Sequence, residues 1–270
     1  MEPESKEILP KSYFNSKSIA FLSVMSALGV VLAFLSVYTL PIGPGVAIDL
    51  SHVGTYIVAL SGGPILGSIA GAIVGLIPAF RFANPALIPG KILTGFSVGF
   101  IYYILNEKIT FFKQNNYKKI FAILISGITG YIPEMIFTIW DLNIVIGMPE
   151  AIVIGILIKA WIEIIGISAL MSIIFINKQI SNLISTLIGE REQIRTIEIL
   201  IFASIVDISM IFLMLFFLPF DFFSHAWGWT WTSQTEFEYF LWIVGLAIIL
   251  AGIILYIAYD LKIKKKRDIN

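Results

Sequence analysis

Runs of about twenty apolar residues, each bounded by charge, proline or glycine, recur eight times along this 270-residue chain. A helix of that length crosses a hydrocarbon layer roughly 30 Å thick, and inside that layer only helices and closed barrels satisfy their own backbone. The spans are expected at 19–40, 46–61, 64–80, 86–105, 120–140, 151–176, 197–218 and 239–259. The fold class that follows is an all-α polytopic membrane bundle. With 58% hydrophobic residues, 13% charged residues and a mean hydropathy of +0.91, a water-soluble globular domain is excluded.

Between the spans the charges are sorted. Fifteen of the eighteen Lys and Arg fall in the segment before span one, the loops after spans four and six, and the tail 260–270. The long loop 219–237 on the other side holds no Lys or Arg. The excess of basic residues marks the cytoplasmic face, so both termini are expected in the cytoplasm and the protein in the cell membrane. Acidic and basic residues balance at eighteen each, which gives no reason to expect nucleic acid. The chain has no cysteine, and only His52 and His225 as imidazoles. Neither a metal site nor a catalytic residue set is expected. The N-terminal segment 1–18 lacks a signal-peptide pattern, and the linker 177–196 places Ile180, Leu183, Ile184 and Leu187 at amphipathic helical spacing.

Three basic residues fall outside that pattern: Arg81, Lys91 and Lys159. Counted from the external span ends, Lys91 lies about 8 Å deep, Glu134 about 10 Å and Lys159 about 12 Å. Glu163 stands one turn beyond Lys159, Asp49 opens span two, and Asp141 ends span five. Ionisable groups at such depth normally face a polar cavity and pair with one another. Their shared depth predicts one externally open pocket in spans two to six. The candidate binding residues are Asp49, Arg81, Asn84, Lys91, Glu134, Phe137, Trp140, Lys159, Trp161 and Glu163, with Phe80 and Phe82 nearby. Lys91, Lys159 and Arg81 are read as partners of an anionic ligand group, and Glu134 and Asp49 as partners of donors. Simpler roles stay open beside these: a self-neutralising Lys159–Glu163 pair, a snorkelling Arg81, a membrane-interface Trp140 and a capping Asp49.

Gly67, Gly71 and Gly75 recur every four residues, so they share one helix face and let a neighbouring helix approach closely. Ahead of them Gly62-Gly63-Pro64 reads as a tight turn near the membrane surface. The string Ile48-Asp49-Leu50-Ser51, followed by Gly63-Pro64-Ile65-Leu66-Gly67-Ser68-Ile69-Ala70-Gly71, resembles the substrate-binding S components of energy-coupling factor (ECF) vitamin transporters, particularly the riboflavin and pantothenate-like branch. The resemblance covers about residues 1–176 and implies a six-helix core at 19–176. The C-terminal transmembrane hairpin at 197–259 gives two additional helices beyond that pattern.

The resemblance further implies capture of a vitamin or similar micronutrient outside the cell. A transmembrane coupling subunit and two ATP-binding subunits then drive its delivery inward. The pairs Ser23 and Ala27, then Gly29 and Ala33, match the family's small-residue contacts with the coupling subunit. The segments 41–45 and 81–85 would cap or line the pocket. No P-loop exists in the chain, so no cofactor is expected in it and ATP belongs to the partners. Pantothenate, a flavin, a folate, a thiamine precursor or another zwitterion fits the mixed charges about equally. The competing readings are a proton- or ion-coupled secondary transporter and a non-transporting membrane scaffold subunit.

Overall fold

The computed structural model describes residues 16–43, 46–113 and 116–188. The expected spans at 197–218 and 239–259, the loop 219–237, the basic tail and the end of the linker lie outside the described residues. Nearly everything described is helical, and five stretches are long and apolar enough to cross a membrane: Ser16–Thr39, Pro64–Phe82, Leu87–Asn106, Tyr117–Val145 and Glu150–Ile176.

The chain begins with α1 (Ser16–Thr39), which leads into a two-stranded antiparallel hairpin, β1 (Pro41–Gly43) and β2 (Val46–Ala47). Helix α2 (His52–Gly62) follows. Span two therefore differs from its expected extent of 46–61. Its first residues make the second strand and a turn in which Asp49 Oδ1 accepts from the Ser51 amide at 2.9 Å. Hydropathy misses this because strand and helix are equally apolar. The eleven residues left to α2 reach only about 16 Å. The Gly62-Gly63 turn packs closely against Gly99. Gly63 adopts φ 85°, and its amide closes the helix on the Ala59 carbonyl at 3.0 Å.

Helices α3 (Pro64–Phe82) and α4 (Leu87–Tyr103) form the most extensive pair in the bundle. A Cβ on Gly71 would overlap the Lys91 carbonyl, and one on Gly67 would overlap the Gly95 carbonyl. The glycine stripe is thus an internal seam, close enough to fix where the Lys91 backbone lies. Between these helices Ala83 takes a left-handed φ of 51°. Its amide meets the Phe80 carbonyl, and the Asn84 amide meets the Ala79 carbonyl, which is the double-bonded helix ending usually built on glycine.

A π-helical turn (Ile104–Lys108) and the short α5 (Thr110–Lys113) lead to α6 (Asn116–Gly130) and α7 (Ile132–Trp140). The break at Tyr131 has a cause: Pro133 has no N–H to donate into the preceding turn, so the helix cannot run through unbroken. A second π-helical turn, Asp141–Val145, widens the end of α7. Helix α8 (Glu150–Ile176) and the strongly amphipathic α9 (Lys178–Ile188) complete the described chain. The core is built on α2, whose Tyr56, Val58, Ala59 and Leu60 are fully enclosed by the surrounding helices. The isoleucines of α8, including Ile158, Ile162 and Ile173, face outward, as a lipid-contacting surface requires.

Candidate functional site

The hairpin, the 83–86 turn and the 146–149 connection gather at one end of the bundle. A cavity of about 210 Å³ opens beneath them, with walls from β2, α2, α3, α4, α7 and α8. Ionisable residues from several elements line it: Asp49, His52, Lys91, Glu134, Lys159 and Glu163. A larger space of about 370 Å³ lies elsewhere, between α4, α6, α8 and α9, but Lys119 is the one lysine in its wall. The concentration of charge singles out the first.

Each lysine in the cavity wall already has a carboxylate. Lys91 Nζ is 2.7 Å from Asp49 Oδ2 and 3.1 Å from His52 Nε2. Lys159 Nζ is 2.9 Å from Glu163 Oε2, one helical turn away. Glu163 also accepts from the Asp49 backbone amide at 3.0 Å through its other oxygen. The pair is therefore more than self-neutralising, since it holds the segment entering α2. Asp49 likewise turns its own backbone while pairing across to α4. Glu134 accepts a short hydrogen bond from Thr94 Oγ1, and its other oxygen lies 3.6 Å from His52 Nε2. Buried charges persist only with such partners.

Asn84 lines the cavity in a fixed pose. Its side-chain oxygen accepts from the Ala86 amide at 3.0 Å, and its amide nitrogen donates to Asp141 Oδ2 at 2.6 Å. Asp141 thus stands one layer behind the wall.

The aromatic candidates divide. Phe137 is buried with Trp140 at 5.7 Å between ring centroids, and its ring approaches Gly90 rather than the cavity. Trp161 packs edge-on against Tyr131 at 5.3 Å, and Tyr131 is the ring that reaches the wall. Phe82 lines the cavity, whereas Phe80 points outward. Arg81 is exposed, its guanidinium over the rings of Tyr38 at 5.4 Å and Phe82 at 5.9 Å. Helical rotation decides this: Pro78 and Phe82, four residues apart, face the cavity, and Arg81 is turned 100° from Phe82.

The small residues of α1 also divide. Ser23 and Ala27 are exposed, but Gly29 and Ala33 are buried within the chain. A Cβ on Gly29 would lie 3.1 Å from the Gly54 backbone, so this position is occupied by α2 and unavailable to a partner helix. His52, Tyr131, Thr94 and Thr138 were not singled out from sequence as binding residues. Only their tertiary placement reveals the first three at the charged cluster and Thr138 in the wall.

Residues 17–175 match the family described as ECF transporter, substrate-specific component. The chain belongs to that family. Comparison with curated proteins and with solved structures returns no match. A substrate-specific ECF component is a membrane-embedded transporter component, and the match spans the same helices that enclose the charged cavity.

Proposed function

We propose that this ECF substrate-specific component captures a vitamin or similar small organic micronutrient from outside the cell in the cavity beneath the hairpin. Both termini lie in the cytoplasm of a cell-membrane protein, consistent with the distribution of its basic residues. Delivery inward requires an ECF transmembrane coupling subunit and two ATP-binding subunits. Loaded protein reorients in the membrane so that the cavity opens to the cytoplasm.

The observation that carries this reading is the convergence of Asp49, Lys91, Glu134, Lys159 and Glu163, from separate elements, on one space. A scaffold that used these charges only to pair helices would have no need of the void between them. The proposed substrate-binding residues are these five with Asn84, His52 and Tyr131. The exposed Ser23 and Ala27 of α1 are the proposed coupling-subunit contacts.

Co-expression of the full chain with ECF coupling and ATP-binding subunits tests the proposal. A stable complex and ATP-dependent uptake of micronutrients by cells holding all subunits are expected. Uptake that proceeds equally without those subunits would instead identify an ion-coupled secondary carrier.

A further inference from the structure

Among the described residues the charges around the cavity do not balance. Asp49, Glu134 and Glu163 supply three carboxylates, and Lys91 and Lys159 supply two ammonium groups. The sixth ionisable group, His52, does not close the difference. An ammonium group can only donate, so the 3.1 Å contact from Lys91 Nζ requires a lone pair on His52 Nε2. The ring N–H then sits on Nδ1, which has no partner among the described residues.

That tautomer leaves Glu134 unmatched. Asp49 and Glu163 each hold an ammonium group and a backbone amide. Among the described residues the Thr94 hydroxyl alone donates to Glu134, because His52 Nε2, 3.6 Å away, turns its lone pair to Lys91. Glu134 is 7% exposed and lines the cavity. Of the neighbouring charges, Lys91 attracts Glu134 but is held by Asp49 at 2.7 Å, Asp141 has the same sign, and Arg81 is turned outward onto Tyr38 and Phe82. A carboxylate so enclosed is costly unless a cation reaches it.

Size and wall chemistry narrow the ligand further. A cavity of about 150 Å³ accommodates benzene, so 210 Å³ holds one ring and a short substituent. Pro78, Leu87, Leu142, Ile146 and Ile156 make much of the remaining wall apolar, and Tyr131 adds an aromatic residue to it.

We infer that the cavity takes a small organic cation, with an apolar body of about one ring and a protonated amine or quaternary nitrogen set against Glu134. The inference rests on reading the cavity as the substrate site, and it replaces the anionic ligand group expected from the lysines.

Three probes of matched size and different charge test it on the full chain in lipid nanodiscs at about pH 7: benzylamine, benzyl alcohol and benzoate. Benzylamine, cationic there, is expected to bind about tenfold more tightly than benzyl alcohol, and benzoate more weakly than both. Glu134→Gln should remove most of the preference for benzylamine over benzyl alcohol. Benzoate binding as tightly as benzylamine, no measurable benzylamine binding, or a preference that survives Glu134→Gln would each overturn the inference. If the variant does not fold, the ranking in the wild-type protein decides alone. Complex formation with ECF subunits does not involve these probes. A complex that prefers benzoate defeats the cation inference only, and a benzylamine-selective protein that never joins the subunits defeats the transporter reading only.

Discussion

The backbone amide of Asp49 donates to the Glu163 side chain across 114 residues of sequence, at 3.0 Å, and so ties the entry of α2 to the middle of α8. The same carboxylate holds Lys159 at 2.9 Å. Glu163→Ala should therefore destabilise more than loss of one surface ion pair would, since it frees an amide and an ammonium group together. A double-mutant cycle with Lys159→Ala should show a coupling energy of about 1–3 kcal/mol in thermal or chemical unfolding in detergent. Additive effects of the two substitutions would mean that Glu163 and Lys159 do not stabilise one another.

The α3–α4 seam sets the height of Lys91. Gly71→Ala places a methyl group against the Lys91 carbonyl, and overpacking of this kind costs about 1–3 kcal/mol. Ligand affinity should fall with stability, because the displaced backbone carries the Lys91–Asp49 pair. Gly155→Ala and Gly166→Ala, inside α8 with no atom within 4 Å of the added Cβ, should leave ligand affinity unchanged and stability equal or higher by up to about 1 kcal/mol.

Ala83 is held in a conformation that glycine adopts freely. Ala83→Gly should stabilise the protein by about 0.5–1 kcal/mol, the relief of left-handed strain less the added chain entropy. Unfolding measurements check the sign. A loss of stability would show that the methyl group makes a contact worth more than the strain.

The exposed side of α1 offers a separable test of assembly. Ala27→Trp should reduce co-purification with the coupling subunit severalfold while leaving ligand affinity intact, because Ala27 is exposed and remote from the cavity wall. Equal loss of both would show that α1 is deformed rather than blocked.

Much of this arrangement is legible in the sequence, and the exceptions have physical causes. The membrane class follows from length and hydropathy alone, and the grouping of Lys91, Glu134, Lys159 and Glu163, expected from their positions along the spans, is seen in one cavity wall. What depth cannot give is azimuth. Arg81 shares the C-terminal end of α3 with Phe82, yet one faces away from the cavity and the other lines it. Gly29 and Ser23 belong to the same small-residue pattern, but only packing shows that Gly29 is spent on Gly54. Thr94 and His52 carry no recognisable spacing, since what matters is which carboxylate and which ammonium group fold against them. The start of α2 was hidden for another reason: Val46 and Ala47 are as apolar in a strand as in a helix.

The central claim is that the charged cavity holds the transported molecule. Mass spectrometry of small molecules released from purified full-length protein, compared with Lys91→Ala and Glu134→Ala, tests it most directly. The account predicts one species retained near stoichiometrically by the wild-type chain and depleted about tenfold or more in both variants. Undiminished retention in both would contradict it.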